Sequence, residues 1–305
     1  MKKGYTPVLA VDGLTKKFGD KTAVRDLRFE VQKGEIFGFL GPNGAGKTTT
    51  IRVVLDVLRA TEGSAKLFGQ DSREVKATHP RIGFLSGDMV LDGDLTGAQY
   101  LNFVDHQYGG GHGGRIKELA KALDISLGPK IDSYSRGNKQ KIALISALAH
   151  EPELLILDEP TSGFDPLIQE VFMDMTKKYQ ARGGTVFMSS HNLGEVQRLC
   201  SRAAFIKDGE LVGVRDIEDL KRESQKSIVI SAKPEVLARI KGGYKTVDGL
   251  ELAETTKTHL GFTYSGEMTK MLKFVSGFVI LDITITEPEL EEVFIGYYKK
   301  DEFSK

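Results

Sequence analysis

The stretch "GPNGAGKTT", Gly41–Thr49, decides how the chain is read. The apolar run "EIFGFL" precedes it and "IRVVLDVL" follows, so a glycine-rich turn joins a strand to a helix. Gly41, Gly46, Lys47 and Thr48 fit the pattern G-x-x-x-x-G-K-[ST], in which backbone N–H groups converge on phosphate oxygens. Asn43, Gly44 and Ala45 complete the turn. The helix N-terminus adds positive potential, Lys47 offers an ammonium to the outer phosphates, Thr48 offers a hydroxyl to Mg2+, and Thr49 a further phosphate contact.

Working outward, "LLILDEP" ends a fully apolar strand with Asp158 and Glu159, and "TVFMSSHNL" ends another with His191. Ligands gather at the carboxyl ends of strands in such sheets. Asp158 is suited to hold Mg2+, Glu159 to orient and deprotonate an attacking water, and His191 either to bond a terminal phosphate or to serve the structure of a strand end. Buried apolar strands alternating with helical patterns predict an α/β core with a parallel sheet. The opening runs "PVLAV", "AVRDLRFEV" and "EIFGFL" read as a small antiparallel sheet ahead of it.

Composition bounds the alternatives. The chain has 305 residues, longer than one core usually serves, so a large and a smaller domain are expected. With 42 basic and 42 acidic side chains the formal net charge is zero, which offers no global field for nucleic acid or an anionic membrane. No apolar run is long enough to span a bilayer, and the start of the chain does not read as a signal peptide. The single cysteine, Cys200, reads as a small buried side chain. A helical insertion over about residues 90–150 is interrupted by "GGGHGG", where His112 reads as part of a turn. The charged segment "RDIEDLKRESQK" separates domains at residues 1–220 and 221–305. Beyond it, "SIVIS", "PEVLARI", a strand near "YKTVD", "HLGFTYS", "EMTKMLKFV" and "FVILDITI" predict a split βαββαβ unit of ferredoxin-like α+β type, with a tail helix over "PELEEVFIGYY".

Taken in order, the glycine loop, "YSRGNKQ", "LLILDEPTSGFDP" and "SSH" resemble the ATP-binding subunit of an ABC transporter, over about residues 7–220, with drug-efflux and sodium-efflux types the most similar. The resemblance implies a P-loop core of the RecA-like kind, ATP and Mg2+ as cofactors, and ATP hydrolysis coupled to transport. It places Tyr134–Asn138 at the signature motif, with Ser135 and Gly137 facing the γ-phosphate held by another copy. Ser162–Pro166 correspond to the D-loop. Phe18 falls where an aromatic ring stacks on adenine, although a place in the core of the antiparallel sheet fits it as well. Two departures stand out. Asp88 occupies the loop where the family has a glutamine, so it either ligates Mg2+ and contacts the attacking water or is a loop carboxylate outside the site. Arg136 replaces the signature's first glycine, reinforcing an anion site, pairing with a partner carboxylate, or simply being solvated.

The resemblance further implies a head-to-tail dimer, homomeric or with a related ATPase, docked on polytopic membrane permease subunits near the helical insertion. The chain would then be cytoplasmic, peripheral on the cytoplasmic face of the cell membrane, an exporter component, and bound to no nucleic acid. Two readings compete with it. One is a soluble ABC ATPase acting on ribosomes or nucleic acid, though such proteins usually carry two cassettes or a long coiled-coil insertion. The other is a non-hydrolysing regulatory subunit, suggested by the missing glutamine.

Overall fold

The structure is a computed structural model and describes residues 6–87, 90–223 and 225–286. Its contacts divide the chain between Asp216 and Ile217. The first unit begins with β1 (Leu9–Phe18) and β2 (Lys21–Val31), an antiparallel pair. Next come β3 (Ile36–Leu40), with all residues buried, and α1 (Lys47–Val54). β4 (Glu62–Leu67) and β5 (Gln70–Asp71) return to the first pair and complete a sheet of order β2-β1-β4-β5. A short α2 (Val75–Thr78) leads to β6 (Ile82–Leu85), and the helical insertion follows as α3 (Gly97–Gln107), α4 (Gly113–Ala122) and α5 (Arg136–Ala149). The unit closes with β7 (Leu154–Asp158), α6 (Pro166–Ala181), β8 (Thr185–Ser190), α7 (Leu193–Leu199), β9 (Arg202–Lys207) and β10 (Glu210–Asp216).

The larger sheet has the order β10-β9-β3-β8-β7-β6, parallel throughout except for β10. This corrects the sequence reading of "EIFGFL": β3 lies inside the parallel sheet, between β8 and β9, and is not the third strand of the antiparallel one. Its residues are apolar or glycine without alternation, as a strand covered on both faces requires. The two sheets meet at Phe29 of β2, whose ring lies 5.9 Å from Phe37, 5.3 Å from Phe39 and 5.7 Å from Phe187. Such pairs contribute about 0.5–1.5 kcal/mol each beyond their burial. They fix the end of β3, and with it the start of the glycine loop.

Side chains set the helix starts. Thr96 and Gln99 form a reciprocal capping box at α3, and Ser135, Asp165 and Asn192 cap α5, α6 and α7. His112 precedes α4, with Nδ1 2.5 Å from Oδ1 of the buried Asp105, so the histidine braces the glycine turn.

In the second unit the charged segment forms a helix, α8 (Ile217–Glu223), in place of an open linker. β11 (Lys226–Ser231), α9 (Pro234–Gly243), β12 (Leu250–Thr255), β13 (His259–Tyr264), α10 (Met268–Val275) and β14 (Asp282–Thr286) follow. The sheet order is β12-β13-β11-β14, and each neighbouring pair is antiparallel. Ile228, Ile230, Leu260, Phe262 and Tyr264 alternate into a core with Leu237, Ile240 and Met271. The strand expected near "YKTVD" is a correction: Tyr244–Thr246 is a 3-10 turn, with Tyr244 packed 5.6 Å from Phe262, and the strand begins at Leu250. The expected tail helix over "PELEEVFIGYY" lies outside the described residues.

Candidate functional site

β3 ends at Leu40 and the chain turns through Gly41 and Gly46 into α1. Gly46 has φ +104°, and a Cβ there would lie 2.5 Å from Val24 Cγ1 and 2.8 Å from the Ala23 carbonyl oxygen, so only glycine fits. Lys47 is 6% exposed. Its Nζ donates to the carbonyls of Gly41 at 2.7 Å and Pro42 at 3.1 Å, and pairs with Glu159 Oε1 at 3.1 Å.

Around it lies a cavity of about 720 Å³, lined by Phe18, Asn43, Gly44, Gly46, Lys47, Thr48, Thr49 and Glu159, with Lys21, Thr22, Ala23 and Asp208. That volume suits a medium-sized organic ligand. Phe18, at the end of β1, is 48% exposed, which rules out the buried-core alternative for it. Lys16 Nζ lies 4.9 Å from its ring centre. Lys21, Thr22, Ala23 and Asp208 come from two turns that carry no motif, and the sequence reading missed them. Gly41 and Ala45 are buried in the loop behind the cavity.

The carboxylate end depends on strand register. β7 and β8 pair Asp158 with Ser189. Ser189 is fully buried; its Oγ donates to Asp158 Oδ1 at 2.5 Å and accepts from the Glu159 N–H at 3.0 Å. Glu159 has φ +49°, the left-handed region that a non-glycine residue enters only when held there. That turn aims its two carboxylate oxygens in separate directions, Oε1 at Lys47 and Oε2 at His191 Nδ1, 2.7 Å away. A proton on Nδ1 satisfies this contact and fixes the ring. An ammonium, a carboxylate–imidazole pair and two threonines thus meet along one glycine loop. Such a set can hold a phosphate chain and take a proton from water.

Ser135 caps α5, its Oγ accepting from the Asn138 N–H at 3.3 Å. Neither Ser135 nor Gly137 lines the cavity of its own chain. Gln140, 2% exposed, donates Nε2 to the Pro160 carbonyl at 3.0 Å, a contact with no signal in the sequence reading. Asp88 lies outside the described residues. Its neighbour Gly87 passes the metal-ligand candidate, since a Cβ there would lie 3.5 Å from Asp158 Oδ2.

Thr48 and Asp158 offer a hydroxyl and a carboxylate, hard oxygen donors of the kind Mg2+ takes. Among the described residues no three His, Cys, Asp or Glu side chains converge on a possible ion. The donors therefore fit a Mg2+ whose shell is completed by phosphate oxygens and water, its usual state beside nucleotides. Cys200 is buried, and burial pushes its thiol far up, away from nucleophilic use. No helix of the described residues is long and apolar enough to cross a membrane.

Comparison with known proteins bears on this geometry. Residues 24–162 match the family model described as ABC transporter, and residues 129–197 match one described as AAA domain, putative AbiEii toxin, Type IV TA system. The ABC transporter ATP-binding protein YhcH of Bacillus subtilis is 35% identical over 216 residues, covering 70% of this chain and 71% of that protein. The bacitracin transport ATP-binding protein BcrA of Enterococcus faecalis is 32% identical over 223 residues, covering 72% of each. The B. subtilis ABC transporter ATP-binding protein YhaQ is 32% identical over 294 residues, covering 94% of this chain and 97% of that protein. Among solved structures, an ATP-binding subunit of an ABC transporter is similar with TM-score 0.66 at 25% identity, covering 71% of this chain and 92% of that one. The ATP-binding cassette MJ0796, a dimer bound to ADP and Pi, has the same fold with TM-score 0.62 at 23% identity, over 68% of this chain and 98% of that one.

Proposed function

The chain belongs to the ABC transporter ATP-binding proteins, and from that premise we propose that it is the ATP-hydrolysing subunit of a membrane exporter, worked by head-to-tail closure of two such subunits around ATP. The observation that carries this reading is the double contact of Glu159, with Lys47 on one oxygen and His191 on the other. On ATP binding, Lys47 exchanges its Glu159 partner for the β- and γ-phosphates, together with the N–H groups of the glycine loop over residues 43–49. Glu159 is thereby released to orient and deprotonate the attacking water, and His191 holds the carboxylate while bonding the γ-phosphate. Thr48 and Asp158 hold Mg2+, with Asp88 joining them in part of the missing glutamine's place. The ion's chemistry is neutralisation of charge on the phosphate oxygens. Phe18 stacks on adenine.

Ser135 and Gly137 face the γ-phosphate bound by another copy, so ATP touches both faces of a closed dimer and only one of an open form. That difference in affinity is what a ligand-driven population shift requires. The dimeric state of a neighbour with the same fold supports this arrangement. A relative named for bacitracin transport supports export. The βαββαβ order and the strand order β12-β13-β11-β14 support a ferredoxin-like accessory domain behind the ATPase domain. Its partners would be polytopic permease subunits, with the chain peripheral on the cytoplasmic face of the membrane.

The test is recovery of the full chain from cells with its natural partners, followed by an assay of Mg2+-dependent phosphate release. Co-recovery of a polytopic membrane protein and ATP-dependent release are expected. Recovery with ribosomes or nucleic acid instead would favour the soluble ABC ATPase reading, and no phosphate release would favour a regulatory subunit.

A further inference from the structure

The start of α5 is fastened to the segment that follows Glu159 in three places. Gln140 donates to the Pro160 carbonyl at 3.0 Å. Gly137 lies so close to Gly163 that a Cβ would come within 2.7 Å of its carbonyl oxygen. Arg136 Nη2 donates to Ser162 Oγ at 3.2 Å, and the stem atoms Cγ and Cδ lie 3.8 and 3.9 Å from the place a Gly163 Cβ would take. The arginine therefore lies along the Ser162–Gly163 turn. Helix stability does not account for it: a cation in the first turn opposes the macrodipole, and α5 has no acidic residue there to compensate.

The turn itself is tight, with the Ser162 N–H donating to the Glu159 carbonyl at 3.2 Å and the Phe164 N–H to the Thr161 carbonyl at 2.9 Å. From Thr161 the contacts continue inward. Its hydroxyl donates to the buried Glu195, whose other oxygen accepts from Ser190 Oγ at 2.9 Å, directly before His191. An unbroken run of hydrogen bonds and backbone thus joins Arg136 to both Glu159 and the residue preceding His191.

We propose that Arg136 is a positioning residue that locks the Ser162–Gly163 turn onto the start of α5. The part of the chain that faces a second copy's ATP and the part that carries its own Glu159 then move as one piece. The glycine usual at this place in the family could not make the contact. The proposal rests on the reading of the chain as an ATPase that works as a head-to-tail dimer.

The test uses the full chain as wild type, Arg136→Ala, Ser162→Ala, the double variant and Arg136→Lys. Amide hydrogen exchange at Ser162 and Phe164 without nucleotide reads the lock itself, and kcat, KM and the Hill coefficient for ATP read its use. Expected are faster exchange at both amides in either single variant, with no further gain in the double. Turnover should fall roughly 2- to 30-fold, as for other residues that carry coupling between sites. KM should stay within about twofold, since the arginine touches no nucleotide of its own chain. The Hill coefficient should drop towards one, and Arg136→Lys should restore part of each loss. Unchanged exchange, or turnover losses that simply add in the double variant, would overturn the proposal. A wild-type chain that hydrolyses no ATP would defeat the ATPase reading instead, with the exchange result still deciding whether the lock exists.

Discussion

Replacing Ser189 with alanine removes a hydroxyl that faces no ligand, yet two functional residues depend on it. Its Oγ–H donates to Asp158 Oδ1 at 2.5 Å, where both residues are almost fully buried. A hydrogen bond to a charged group contributes about 1.5–3 kcal/mol, and an amide left without a partner costs about 1–3 kcal/mol. The Glu159 N–H, now bonded to Ser189 at 3.0 Å, would be that amide. Because the two losses share one atom they do not simply add, so a net cost of about 2–4 kcal/mol is expected, against about 5–15 kcal/mol for a whole domain. The chain contains no tryptophan, and two units need not unfold together, so exchange of the β7 and β8 amides is the appropriate assay. Rates roughly 30- to 1000-fold faster than wild type correspond to that cost at about 1.4 kcal/mol per tenfold. The loosened Asp158 should also weaken Mg2+ affinity about 10- to 100-fold, as loss of a ligand's supporting bond typically does. Exchange within about twofold of wild type would show that Ser189 is only a small core residue and would refute the reasoning.

Two further outcomes follow from other contacts. Lys47→Ala should weaken ATP binding about 10- to 100-fold, the loss of one to two charge-assisted hydrogen bonds to phosphate, measured by equilibrium titration with a fluorescent ATP analogue. Arg81 donates to both carboxylate oxygens of Glu153, at 2.7 and 3.0 Å, and these hydrogen bonds hold the Glu153 carboxyl below its ordinary range. A carboxyl depressed by folding stabilises above its unfolded pKa and loses that contribution as pH falls through the folded value. Glu153 is 51% exposed, so solvent screening limits the pair to about 0.2–1 kcal/mol. Glu153→Gln should therefore lower the urea midpoint at pH 7, with the gap closing at about pH 3, below the ordinary carboxyl range.

How much of this was legible beforehand follows from the range of each signal. The glycine loop is local: Gly46, Lys47 and Thr48 act through neighbours in sequence, and the flanking apolar runs place them on strand and helix. Asp158, Glu159 and His191 were legible as strand-end residues, because fully apolar strands announce where they stop. The Ser189 bridge was not, since it exists only once β7 and β8 pair with Asp158 opposite Ser189, a register that no local pattern encodes. Gln140 and Arg136 were ambiguous for the same reason, as their partners stand 20 and 26 positions away. β3 was assigned to the wrong sheet because an apolar strand following two antiparallel ones gives no sign of which partner it will take. In the second unit the alternation of Ile228, Ile230, Leu260 and Phe262 was plain, whereas "YKTVD" combined strand-forming residues with a segment that turns.

The account's central claim is that Glu159 activates water at an ATP held between two copies. It is tested most directly by adding Mg·ATP to the Glu159→Gln chain and measuring mass in solution alongside turnover. A stable shift from the 33.5 kDa chain to twice that mass is predicted. Turnover should fall about 10²- to 10⁴-fold, the scale of a lost general base. A variant that stays monomeric with ATP, or that hydrolyses ATP at the wild-type rate, would contradict the claim.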